Sequence, residues 1–171
     1  MGLFVRMIER QKWEKVNLSE LGYAKTPSDT ITSELRTHSN TLSLWFIENI
    51  NLLSNAILAI ALMRNKITRL DIIILDADEI TSKDLKIVHS PQNGFSPFDD
   101  FNNFHYDIVE MDYEKLGVFS DLVISNIENK TKCFRYNKGD IGKILNEGYQ
   151  NGFFNLDEIQ ISLKKELEKL I

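Results

Sequence analysis

Apolar and polar positions along the chain fall into stretches of two different rhythms. Leu3 to Glu9 alternates weakly, the two-residue period of a strand. Arg10 to Leu21 is polar with Trp13, Val16, Leu18 and Leu21 interspersed, which predicts a short helical turn followed by loop. Pro27-Ser28-Asp29 is a turn signal, and beyond it Ile31 and Leu35 share a helical face, although the threonines there also permit extended chain. Ser39-Asn40 predicts a second turn, and Thr41 to Ile47 a strand rich in β-formers.

The middle of the chain is more strongly patterned. Asn51 is placed to cap a helix from Leu52 to about Asn65, and Leu52 to Met63 leaves almost no polar face. A helix apolar all round is buried on both sides, and Arg64 and Lys66 near its end suit the negative end of its dipole. Leu70 to Leu75 is a continuous aliphatic run, the pattern of a central strand covered on both faces. Leu85 to His89 predicts a short strand, with a loop marked by Pro91, Asn93-Gly94 and Pro97 after it, and Phe104 to Met111 predicts another strand. Asp112 is placed to cap a helix from Tyr113 to Asn129, Lys132 to Tyr136 reads as a small strand and Ile141 to Tyr149 as a short helix. Leu156, Ile159, Leu163, Leu167 and Leu170 predict a last helix over 156–170.

That order predicts an α/β (or α+β) fold in which a mixed sheet of five or six strands carries helices packed on it. The 171 residues correspond to a single domain over 1–171. A composition 43% hydrophobic and 26% charged excludes a disordered chain and supplies a core. Cys133 is the only cysteine, which rules out an intramolecular disulfide and fits a reducing, cytoplasmic setting. Arg6 and Glu9 arrive too early for a signal peptide, and Arg6 stands where a myristoylation motif needs Ser or Thr. The longest apolar run, Ala56 to Met63, is far shorter than the roughly 18–20 residues that span a bilayer. A soluble protein is expected.

Candidate chemistry is sparse. No P-loop, Rossmann glycine pattern, nucleophile elbow or Cys-x-x-Cys pair occurs, and no cofactor or metal is expected. Arg36, His38 and Asn40 share a polar turn that would suit either a phosphate or a hydrogen-bonded loop. His89 and His105 follow no metal-ligand spacing and are expected to be structural. Cys133 has Lys132 and Arg135 nearby, but its place in a short strand favours burial over reactivity. Asp76-Ala77-Asp78 directly follows the Leu70–Leu75 strand, where α/β enzymes hold Mg²⁺. This spacing resembles the first motif of haloacid-dehalogenase-type phosphatases, a hydrophobic strand followed by Asp-x-Asp. The chain departs from that pattern at Glu79, where Thr or Val is usual, and in the motif's position far from the chain start. The resemblance implies a metal-dependent hydrolase using Asp76 and Asp78; the alternative is a solvated turn.

Charge changes the picture most. The whole chain carries a formal net charge of −5, yet residues 71–128 hold thirteen acids against Lys83, Lys86 and Lys115. A patch of that sign repels nucleic acid and attracts basic proteins. Phe95, Phe98, Phe101, Phe104 and Tyr106 crowd the loop around Asp99 and Asp100, a combination found at binding hot spots and also in buried loop anchors. In this character, an acidic block spanning Asp71 to Glu128 without catalytic motifs, the chain resembles bacterial immunity proteins and antitoxins of the contact-dependent growth-inhibition type. The resemblance implies a protein that binds a basic nuclease toxin and occludes its substrate groove. The expected partner-binding residues are Asp76, Asp78, Glu79, Asp84, Asp99, Asp100, Phe101 and Asp107, provided that these acids share one face.

Overall fold

The aliphatic run that predicts a central strand becomes β5 (Leu70–Asp76), in which Leu70 to Leu75 are all buried. Its neighbour β1 (Leu3–Ile8) lies beside it in the interior of a six-stranded sheet. The computed structural model describes residues 2–14, 16–17, 24–129 and 131–170. The other sheet strands are β4 (Leu42–Ile47), β6 (Ile87–His89), β7 (His105–Ile108) and β8 (Cys133–Tyr136), arranged β6-β7-β4-β1-β5-β8. All five pairings are antiparallel, so the sheet is not mixed. A separate two-stranded ribbon joins β2 (Val16–Asn17), inside the Arg10–Leu21 stretch expected to be a helical turn and loop, to β3 (Ala24–Lys25) beyond it. Leu18 and Leu21 of that stretch lie outside the described residues.

Strand alternation sends side chains to two helical layers. From one face Val5, Trp45, Ile72 and Ile74 meet α2 (Leu53–Leu62), α6 (Lys138–Gln150) and α7 (Ile161–Leu167). From the other, Phe4, Leu44, Ile73 and Leu75 meet α5 (Tyr113–Glu128), with α1 (Ser28–Glu34) and α3 (Ala77–Thr81) beside it. Helix α2 is buried from Ala56 to Leu62, as its lack of a polar face requires. Gly148 lets α6 approach it closely, since a Cβ there would sit 2.6 Å from Leu58 Cδ2. Asp112 caps α5 by accepting from the Lys115 amide at 2.8 Å.

Three elements differ from the pattern-based expectation for local reasons. The last helix begins at Ile161, because Asn155 and Glu158 close a turn on each other through both backbone and side chain. Helix α6 starts three residues before Ile141, where Asn137 and Asp140 form a reciprocal capping box. Strand β7 ends at Ile108, and two residues on Glu110 takes a left-handed φ of 58°. Ser39 and Asn40, both with positive φ, make the expected tight turn between His38 and Thr41. No described helix is long and apolar enough to cross a membrane.

Candidate functional site

Antiparallel register decides where the acids go. Asp76 pairs with Leu3 and Asp71 with Ile8, so they stand at opposite ends of β5. Following the register across β1, β4 and β7 places His105 at the Asp76 end and Ile108, with Glu110 and Asp112 beyond it, at the Asp71 end. The acidic block is therefore divided, with Asp76 at one end of the sheet and Asp71, Glu110 and Asp112 at the other.

Several of them are already neutralised. Asp71 is buried and bound by Arg135, whose Nε lies 2.6 Å from Oδ1 and Nη2 3.1 Å from Oδ2. Glu110 lies 2.6 Å from Lys86 Nζ. Lys132, brought beside β5 by the β8 pairing, places its Nζ 2.5 Å from both Asp76 Oδ2 and Glu79 Oε1. Burial alone would lower the pKa of that ammonium, but its hydrogen bonds to the two carboxylates outweigh burial and hold it above the ordinary lysine value.

The Asp-x-Asp pair is consequently not assembled around a shared ion. Asp76 is committed to Lys132, while Asp78 is exposed in the first turn of α3. Crevices that hold ligands at strand carboxyl ends belong to parallel sheets, and β5 is antiparallel to both neighbours. Among the described residues no group of three or more His, Cys, Asp or Glu is placed to hold a metal.

Two expected contact residues are largely buried. Phe101 is buried in the short helix α4 (Asp99–Asn102), its ring stacked on Trp45 and Phe98 at centroid distances of 5.6 and 5.5 Å. Packed in this way it anchors the loop, and part of it still lines a groove between α4 and β4. Asp107 is also buried, because an inward position on β7 places it under the loop holding Asn93. Asp84 is exposed in the loop after α3, with a left-handed φ of 57°. Asp99 and Asp100 are exposed in the first turn of α4, as a partner contact requires.

The histidine and cysteine expectations resolve individually. His105 is buried, with Nδ1 3.0 Å from the Ser90 carbonyl oxygen; burial lowers its pKa against the opposing pull of Asp107 and of that hydrogen bond. His89 is exposed, its Nε2 2.7 Å from the Asn103 carbonyl oxygen. Burial pushes the Cys133 thiol up, away from thiolate chemistry. Arg36, His38 and Asn40 are exposed, and no hydrogen bond joins them to one another among the described residues.

At the Asp76 end of the sheet, α4 leans over β4 and leaves a groove of about 300 Å³. Phe46, Leu52, Phe98, Phe101 and Phe104 form its apolar lining, with Glu48 and Asp100 also lining it. Both carboxylates are exposed and make no ion pair among the described residues. Glu48 lies outside the acidic block in sequence and is one residue past β4, so only strand pairing reveals that it joins Asp100. Comparison with protein-family models, with curated proteins and with solved structures finds no match.

Proposed function

We propose that the protein acts by binding, and that it takes a basic segment of a partner protein in the groove between α4 and β4. One observation carries this: Glu48 and Asp100, both without ion-pair partners among the described residues, line the same aromatic groove. Aromatic side chains contribute buried area to a contact, while unpaired carboxylates select lysine or arginine and raise the rate of encounter. The acids that remain available are fewer than the sequence block implies, so recognition is local to this groove. As an immunity protein, the chain would hold a nuclease toxin at this groove and cover the toxin's basic substrate channel.

The test is association kinetics against an array of peptides in which lysines or arginines flank one Leu, Phe or Trp. Binding should slow as salt rises, because exposed charges are screened beyond about 8–10 Å at physiological ionic strength. The double variant Glu48→Lys/Asp100→Lys should associate about tenfold more slowly while melting like the parent. Equal rates for variant and parent would remove the proposal. For the toxin itself, the readout is recovery of growth when the chain is co-expressed with a basic nuclease toxin, lost in the same variant.

A further inference from the structure

We propose that a second cavity, built around Asp107, binds the cationic head of an amine or guanidinium. The cavity measures about 560 Å³, within the range of about 300–1,000 Å³ that small-molecule sites occupy. It lies on the face of β4 and β7 that α2 also covers, beyond the groove at the other end of α2. It rests on different residues from the proposed protein-binding groove and does not depend on it.

Four observations point to a cation. Asp107, which lines the cavity, is only 2% exposed, yet among the described residues neutral groups alone donate to it: Ser43 Oγ to Oδ1 at 3.2 Å and Asn93 Nδ2 to Oδ2 at 2.7 Å. A buried carboxylate normally has a cation for a partner, and among the described residues none forms an ion pair with this one. His105 lines the cavity two residues along the same strand; its Nδ1 lies 3.0 Å from the Ser90 carbonyl oxygen and 3.1 Å from Ser90 Oγ, and in the tautomer that donates from Nδ1 to that carbonyl Nε2 is an acceptor. Met63, the cap residue at the C-terminus of α2, lines the cavity too, so the negative end of that helix dipole lies at its edge. Arg64, next along the chain, turns elsewhere and places Nη1 2.9 Å from Met7 Sδ.

The remaining walls fit the carbon part of such a ligand. Trp45 and Met63 supply apolar surface, and Phe95, 78% exposed, stands where it can cover an alkyl chain. The charged head would exchange water for the Asp107 carboxylate and the His105 Nε2. No bond is made or broken. A free alkylamine or alkylguanidine and an arginine side chain projecting from a protein share this chemistry.

Calorimetry on the full chain separates the two sources, with agmatine as the free guanidine and acetyl-Gly-Arg-Gly-amide as the protein-borne one. At least one should bind at millimolar concentration or better, and the same peptide with citrulline for arginine should bind about tenfold more weakly or not at all. Binding of agmatine alone assigns the cavity to a free amine or guanidine; binding of the peptide, with or without agmatine, assigns it to an arginine side chain. Asp107→Asn preserves the side-chain shape and should weaken binding about tenfold or more. Should that variant fold poorly, Met63→Lys gives a second arm: position 63 is 44% exposed, and a lysine there repels an incoming cation without disturbing the buried bonds. Glu48→Lys/Asp100→Lys, at the other groove, should leave agmatine and peptide affinity here unchanged. Failure of both probes to bind, equal binding of the citrulline peptide, or parental affinity in a folded Asp107→Asn or Met63→Lys chain overturns the proposal.

Discussion

Arg135 grips Asp71 through two hydrogen bonds, Nε to Oδ1 at 2.6 Å and Nη2 to Oδ2 at 3.1 Å, and so clamps the edge strand β8 to β5. The Asp71 carboxylate is buried and, among the described residues, otherwise receives only the Arg10 amide at 3.2 Å. Arg135→Met should therefore lower stability, though less than for a wholly buried pair because Arg135 is itself partly exposed. Removing the stranded charge as well, in Arg135→Met/Asp71→Leu, should restore most of the loss. Urea unfolding of the two variants measures both effects, and equal stability of single and double variants would contradict this account.

Two glycines in helices should respond in opposite ways to an added side chain. Gly148 of α6 is buried against Leu58, whereas Gly117 of α5 has nothing within 4 Å of where a Cβ would stand. Gly148→Val should cost about 2 kcal/mol through overpacking. Gly117→Ala should stabilise by about 0.5–1 kcal/mol, because the helix no longer carries glycine's backbone freedom. Thermal melts of both variants give the comparison.

The His105 ring protonates below the ordinary histidine value of 6.5, chiefly because it is buried. As pH falls, the unfolded chain takes up this proton before the folded one does. Stability attributable to His105 is therefore complete above the ordinary value, declines as pH drops below it, and levels once the folded ring also protonates. His105→Gln should flatten the urea midpoint against pH between about pH 7 and about pH 5, relative to the parent. Parallel profiles for parent and variant would show that the ring does not contribute.

Lys132 takes the place of a cation between Asp76 and Glu79. Lys132→Ala leaves two carboxylates facing each other and should cost about 1–2 kcal/mol at neutral pH. The vacated space should then admit a divalent ion, so Mg²⁺ should raise the melting temperature of the variant but not of the parent. A parent that responds to Mg²⁺ as strongly as the variant would return Asp76 and Asp78 to consideration as a hydrolytic metal site.

What could be read from sequence was whatever depends on a continuous stretch of chain. The nearly all-apolar Leu52 to Met63 and Leu70 to Leu75 are legible in this way: Leu53 and Ala56 to Leu62 are buried in helix α2, and Leu70 to Leu75 in strand β5. The Asp112 cap and the Ser39-Asn40 turn are equally local. Helices α3 and α4 escaped notice because one turn of helix is too short to show a period. The site depended on register, which no local pattern carries. Asp76 and Lys132 lie far apart in sequence and meet only because β5 pairs with β8, and Glu48 joins Asp100 only because β4 pairs with β7. Phe101 and Asp107 looked like contact residues because their neighbours Asp99, Asp100 and Tyr106 are polar or amphipathic, while strand alternation turned Asp107 inward and the one-turn helix α4 laid Phe101 against Trp45 and Phe98.

The interior position of β1 has a consequence for how the chain folds as it is made. This strand leaves the ribosome before either strand that flanks it, yet both of its edges need partners: Leu42–Ile47 on one side and Leu70–Asp76 on the other. Until the second of these has emerged, the nascent chain holds a hydrophobic strand with an open edge, the kind of segment that chaperones shield. The sheet can close around β1 only after synthesis has passed Asp76, and its assembly is paced by loop closure over long sequence distances.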